Sequence, residues 1–179
     1  MSDGGGIQEG FLLFLDFFDE TVGQIQYVAL EEGMLKVYSS ADRLDAHFVE
    51  QIELTRHQVD VYAVPFEQGN GIPCRFCLQL SPYTSDGEPK KHLLFAAPST
   101  ADEHAWMKAL INWQRHSFDI SLRSLPLQES DRAKIDKKRA SDLKALRGRM
   151  EQYDLSPRPP KASSPSKSSF WSWVQQAFA

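Results

Sequence analysis

The chain has 179 residues, 41% hydrophobic and 25% charged, with two cysteines and a formal net charge of −4. That is enough for one folded domain plus an extension, short for two full domains, and too poor in cysteine for a disulfide framework. No stretch approaches the roughly 20 apolar residues of a membrane-spanning helix, and the apolar run Phe11–Phe18 follows Asp3 and Glu9 in place of a basic leader, so a cytoplasmic protein in a reducing compartment is expected.

The charge is unevenly spread. Residues 1–120 hold 18 acidic and 8 basic side chains, a net −10, while residues 121–179 hold 12 basic and 6 acidic, a net +6. An acidic globule with a basic extension is implied, the extension either folding back or seeking an acidic partner.

Along the chain, Gly10–Phe18 reads as a first strand and Asp19–Gly23 as a loop. Gln24–Leu30 alternates, Ile25 and Tyr27 facing away from Gln24 and Gln26, and Glu31-Glu32-Gly33 is a tight turn into Met34–Ser39. Phe48–Leu54 and Gln58–Val64 are the next strands, Gln68–Gly71 a strong turn signal, Cys74–Leu80 a sixth strand and Lys91–Ala96 a seventh. Ser99–Trp113 then carries a helix running to about His116. Thr100 can cap it with Glu103 completing a capping box, and Trp106, Ala109, Leu110 and Trp113 share one face. Strands first and one Trp-bearing helix last predict a mainly β domain, a seven-stranded antiparallel barrel or sandwich capped by that helix.

The opening Glu9-Gly10-Phe11-Leu12, the strand Gln26-Tyr27-Val28-Ala29-Leu30 and the helix Ala105-Trp106-Met107-Lys108-Ala109-Leu110 together resemble a pleckstrin homology (PH) domain over residues 7–117. Trp106 matches the Trp of that family's C-terminal helix, and Trp106, Leu110 and Trp113 take structural roles. The resemblance implies a phosphoinositide cradle built from a base late in the first strand and a basic-x-basic pair in the second. Here those positions fall near Phe14 and at Gln24 and Gln26, and the intervening loop carries Asp16, Asp19 and Glu20 without a base. Clustered cations are what give charge-assisted hydrogen bonds to phosphate, so the usual lipid activity is in doubt. Lys36 and Arg43 survive nearby as an atypical lipid-binding pair, although ordinary solvated bases are the plainer account.

Phe17, Phe18 and Val22 read either as an apolar tip for a membrane or partner, or as a longer strand whose rings pack on Trp or Tyr neighbours. The second reading is preferred because exposed rings are costly. Cys74 and Cys77 lie three apart in a strand pattern and face opposite sides, with no second pair for a metal, so they are read as small hydrophobes. The five histidines form no ligand spacing and no nucleophile motif stands out. No enzyme, cofactor or metal is expected.

Residues 130–153 form a basic helical extension. Arg132, Lys134, Lys137, Lys138, Arg139, Lys144, Arg147 and Arg149 crowd it, Ser130 or Asp131 can cap it, and Leu143, Leu146, Met150 and Tyr153 repeat with heptad spacing. A helix packing one stripe on the domain is preferred to a basic face for acidic lipid, acidic protein or RNA, or to an import patch at Lys137-Lys138-Arg139. Residues 154–169, rich in Pro, Ser and Lys, read as a disordered linker, with Ser156-Pro157 and Ser164-Pro165 as candidate phosphate acceptors. Residues 170–178 read as an amphipathic tail in which Phe170, Trp171, Trp173, Val174 and Phe178 anchor to a partner or membrane.

The expected function is a non-catalytic, monomeric recruitment module binding an unidentified protein partner, with weak contact to an anionic membrane surface. The alternative is a phosphoinositide-targeting PH domain using Lys36 and Arg43. Nucleic-acid binding through the basic helix is a third and less favoured reading.

Overall fold

The computed structural model describes residues 8–84, 87, 89–114 and 128–157. Seven antiparallel strands run as β1 (Gln8–Leu15), β2 (Val22–Glu31), β3 (Met34–Tyr38), β4 (Phe48–Glu53), β5 (His57–Ala63), β6 (Arg75–Pro82) and β7 (Lys91–Ala96). They are followed by α1 (Thr100–Ile111), α2 (Glu129–Gln152) and a two-residue strand β8 (Ser156–Pro157). The hydrogen-bonded order is β4-β3-β2-β1-β7-β6-β5, with β8 joined in parallel to β2. This is the helix-capped antiparallel barrel or sandwich that the sequence predicts.

Period-two alternation sorts each strand into two faces. The inner face collects Leu12 and Phe14, Val28 and Leu30, Leu35 and Val37, Ile52, Phe76, Leu78, Leu80 and Phe95, closed by Trp106, Ala109 and Leu110 of α1. Trp106 is 2% exposed. Phe14 meets Phe95 edge-on at 4.6 Å, and Phe76 follows at 5.3 Å. Glu32 and Gly33, both at positive φ, form the β2–β3 turn, the backbone that a two-residue hairpin of primed type requires.

The outer face of β1, β2 and β7 is apolar as well, and α2 covers it. Phe11, Leu13, Leu15, Tyr27, Cys77, Leu94 and Ala96 form a second cluster with Leu146, Leu155 and the partly buried Leu143, Met150 and Tyr153. The heptad stripe read from the sequence is thus an intramolecular packing stripe, and Leu146 is the fully buried residue in it.

Several boundaries are corrected. β1 ends at Leu15, not Phe18, because Asp16 begins a hydrogen-bonded loop. The cap of α1 is Ser99, whose backbone is extended and whose Oγ accepts from Asp102 N at 3.1 Å; Thr100 is already helical and Glu103 completes no box. Helix α1 ends at Ile111, Trp113 and Gln114 are helical again after Asn112, and the expected end near His116 lies outside the described residues. The first turn of α2 starts at Glu129 after Gln128, which makes no side-chain cap, so neither Ser130 nor Asp131 caps it. Ser156 and Pro157, placed by the sequence reading in the linker, pair with Val22 and Gly23.

Candidate functional site

At the β1–β2 end of the barrel, Leu12 pairs with Gln26 and Phe14 with Gln24. The alternation therefore turns both glutamines to the inner face shared with Val28 and Leu30, where a phosphate cradle would need cations. The connecting loop adds Asp16, Asp19 and Glu20. The hydroxyl and amide of Thr21 both donate to Asp19 Oδ1, lowering its carboxyl below the ordinary range.

Lys36 and Arg43 are brought together, on carboxylates. Lys36 Nζ lies 2.9 Å from Glu31 Oε1 and 3.4 Å from Glu32, while Arg43 Nη2 lies 2.7 Å from the same Glu31 oxygen and Nη1 3.3 Å from Glu9. The guanidinium also sits over the Tyr38 ring, 5.5 Å from its centroid. Burial works to raise the Glu31 pKa, but hydrogen bonds from Lys36 and Arg43 outweigh it and hold the carboxyl below its usual value. The ladder continues through Glu9 to Arg139, which donates to Tyr27 Oη at 2.9 Å and lies 5.2 Å from that ring's centroid. Burial, then the nearby Glu9, pushes the Tyr27 hydroxyl up to about 12. An incoming phosphate would compete with three carboxylates for the two bases.

The other basic residues of α2 divide between latch and surface. Lys138 Nζ bridges Asp102 of α1 at 2.9 Å and Asp142 at 2.6 Å. Burial opposes its charge, yet these two hydrogen bonds raise its pKa. Lys134, Lys137, Lys144 and Arg147 are exposed and lie on the side of the helix away from Leu146. Arg149, the last of the bases that crowd this helix, donates to the carbonyls of Ala97 and Pro98. Cavities of about 260 and 230 Å³ lie beneath the latch around Glu9, Gly10 and Lys138.

Arg75 was missed. It is 1% exposed and bonds Glu20 at 2.7 Å, Ile72 O at 2.7 Å, Pro65 O at 3.1 Å and Gln68 O. Asn70 adds its amide to Glu20 Oε2 and its side chain to Glu20 O. The β1–β2 and β5–β6 loops are thereby clipped into one unit. Gly69, at φ +66°, is needed there because a Cβ would strike the Glu20 carboxylate.

The preferred reading of Phe17 and Phe18 is overturned. Phe17 is 39% exposed and stacks on His92, and Phe18 is 95% exposed, touching Phe17 edge-on. Asp16 Oδ1 accepts from the amides of Phe18 and Asp19, a turn that ends the strand and throws the Phe18 ring outward. Val22 stays half-buried in β2. Cys74 packs toward the inner cluster and Cys77 lies in the outer one, the thiol of the latter raised by burial. Among the described residues no group of His, Cys, Asp or Glu could hold a metal, and no helix is long and apolar enough to cross a membrane. Leu110 is buried and Trp113 packs against the inner cluster. Phe170, Trp171, Trp173, Val174 and Phe178 lie outside the described residues.

No protein-family model matches the chain, and no curated protein matches it. Among solved structures, the Slm1 PH domain is 18% identical, covering 59% of this chain and 93% of its own, with a TM-score of 0.47; that domain has also been solved with inositol-4-phosphate. A chain from the structure of SifA and SKIP is 22% identical over 59% of this chain and 94% of its own, TM-score 0.42. The DH/PH domains of PDZ-RhoGEF, solved with GTP-γ-S-activated RhoA, are 19% identical over 61% of this chain and 29% of that one, TM-score 0.42. These likenesses concern the fold.

Proposed function

We propose that the chain is a non-catalytic recruitment module that attaches to a protein partner or a membrane surface through its Trp-rich C-terminal segment and does not grip an inositol phosphate in the barrel mouth. One observation carries this: the inner face at the mouth presents Phe14, Gln24 and Gln26, and the nearest bases, Lys36 and Arg43, are engaged by Glu31 and Glu9. Moving both bases onto a phosphate would leave Glu31, whose side chain is 15% exposed, without either cation that holds it, a costly exchange.

Vesicle sedimentation of the full chain tests this reading. Trp171→Ala with Trp173→Ala should abolish attachment to membranes or to a captured partner, and Lys36→Ala with Arg43→Ala should leave it unchanged. Selective binding to phosphoinositide vesicles that the second pair of substitutions removes would overturn the proposal.

A further inference from the structure

We propose that Ser156 accepts phosphate from a proline-directed kinase and that the phosphoserine separates β8 from β2. Three Ser-Pro pairs occur in the chain, Ser81-Pro82, Ser156-Pro157 and Ser164-Pro165, and the fold sets the two described ones apart. Ser81 is half-buried in β6, where it pairs with Gln58 and its Oγ accepts from Gln79 Nε2 at 3.4 Å, while Pro82 pairs with His57. Ser156 and Pro157 are both exposed and make up the whole of β8.

Little holds β8 in place. Ser156 N donates to Thr21 O at 2.8 Å, and Val22 and Gly23 are the register partners of Ser156 and Pro157. Pro157 has no amide with which to carry the ladder on. A kinase needs its acceptor serine in an extended stretch whose backbone is free, and opening two paired residues supplies one by local unfolding. Ser81 is reached only by parting β6 from β5, which pair over the full length of β5. In the transfer, Ser156 Oγ bonds to the γ-phosphorus of a nucleoside triphosphate brought by the kinase. The bond from that phosphorus to the β–γ bridging oxygen breaks, the nucleoside diphosphate leaves, and the hydroxyl proton passes to a base of the kinase.

The phosphate is poorly matched to the place where it forms. Residues 16–25 and 150–157, the two segments that meet here, carry Asp16, Asp19, Glu20, Glu151 and Asp154 and no base. Arg75, which reaches Glu20, is buried and engaged by that carboxylate and three carbonyls. A phosphoserine brings about −1.5 to −2 charges, and beside carboxylates it disrupts by like-charge repulsion. The phosphate therefore loosens Ser156 from Thr21 and Val22 and frays Leu155 next to it. Helix α2, held further back by Leu146 and Arg149, stays on the sheet.

The test uses the full chain with Mg-ATP and a mitogen-activated protein kinase, the modified sites being mapped by mass spectrometry. Ser156 should be phosphorylated and Ser81 should not. A chain modified at Ser164 but not at Ser156, or equally at Ser81 and Ser156, would overturn the assignment. The Ser164→Ala chain, phosphorylated and unmodified, is then compared by hydrogen exchange. The amides of Leu155 and Ser156 should exchange about tenfold faster with phosphate, and those around Leu146 should be unaltered. Raising salt should reverse part of the gain, because the repulsion is screened, and Ser156→Glu should reproduce part of it. Exchange at Ser156 that is unchanged or slower would show that a base receives the phosphate, and the separation of β8 from β2 would be refuted.

Discussion

Truncating Leu146 to Ala should release α2 from the sheet while leaving the barrel folded. Leu146 is 0% exposed and is the fully buried side chain of a 24-residue helix. Its apolar neighbours on that helix, Leu143, Met150 and Tyr153, are only partly buried. Polar contacts remain beside it: Arg149 on the carbonyls of Ala97 and Pro98, Arg139 on Tyr27 Oη, and Lys138, at 59% side-chain exposure, on Asp102, the last a class of pair worth at most about 1 kcal/mol. A Leu→Ala change in a packed site costs about 2–5 kcal/mol. Taking about 3 kcal/mol, the opening constant of the helix should rise about 150-fold. Hydrogen exchange followed by mass spectrometry reads this directly. Peptides from residues 135–150 should exchange about a hundredfold faster, with β6 and β7 unaltered. A rise below about threefold would show that Leu146 does not hold the helix. An equal rise in β6 and β7 would show that α2 and the barrel unfold as one unit, refuting a separable cover.

Three further outcomes follow from the same packing. Trp106→Ala should lower unfolding stability by about 3–5 kcal/mol in urea melts, and a loss under about 1 kcal/mol would mean that the ring, 2% exposed, is not part of the core. Arg75→Ala removes one partner of a buried ion pair, leaves Glu20 with the Asn70 amide alone, and takes the guanidinium from the carbonyls of Ile72, Pro65 and Gln68; a loss of about 3–5 kcal/mol is expected, and unchanged protection of residues 65–72 in hydrogen exchange would refute the clip. Glu31 is held below its ordinary value of 4.5, so its folded state favours the ionised form. Its contribution is complete above about that pH and is lost as pH falls through the depressed value. Glu31→Gln should therefore flatten the acid limb of the stability–pH curve, and an unaltered limb would contradict the Lys36–Glu31–Arg43 arrangement.

Local patterns were legible in the sequence and long-range polar pairings were not. Lys91–Ala96 occupies the predicted seventh strand, and Trp106 and Leu110 fill the inner core, because alternation and helical spacing report burial directly. The glutamines of the mouth, Gln24 and Gln26, were located by the resemblance to PH domains, and the alternation of β2 put both on one face. Arg75 gave no signal: it sits between two cysteines in an ordinary strand, and its partner Glu20 is 55 residues away. Ser99 and Thr100 are both capping residues, and the choice falls to whichever backbone is extended, which is a property of the turn after Pro98. Phe18 was misjudged because the cost of an exposed ring was set against a longer strand, without the Asp16 turn that stops it.

The contrast between β1 and β5 explains why the second helix belongs to the domain. A strand covered on both faces reads as an unbroken apolar run, and one open to water on its outer face alternates. β1 carries Phe11-Leu12-Leu13-Phe14-Leu15 with all five buried, Leu12 and Phe14 inward and Phe11, Leu13 and Leu15 under α2. β5 has no such cover: Val59 and Val61 pack inward between exposed Gln58, Asp60 and Tyr62. The apolar run of β1 thus already encodes a second layer. Laying α2 along that layer brings Leu155 into the outer cluster and Ser156 to Thr21. The covering helix therefore fixes where the tail begins, beside a loop whose charged positions suit no phosphate and whose tip is a bare aromatic ring.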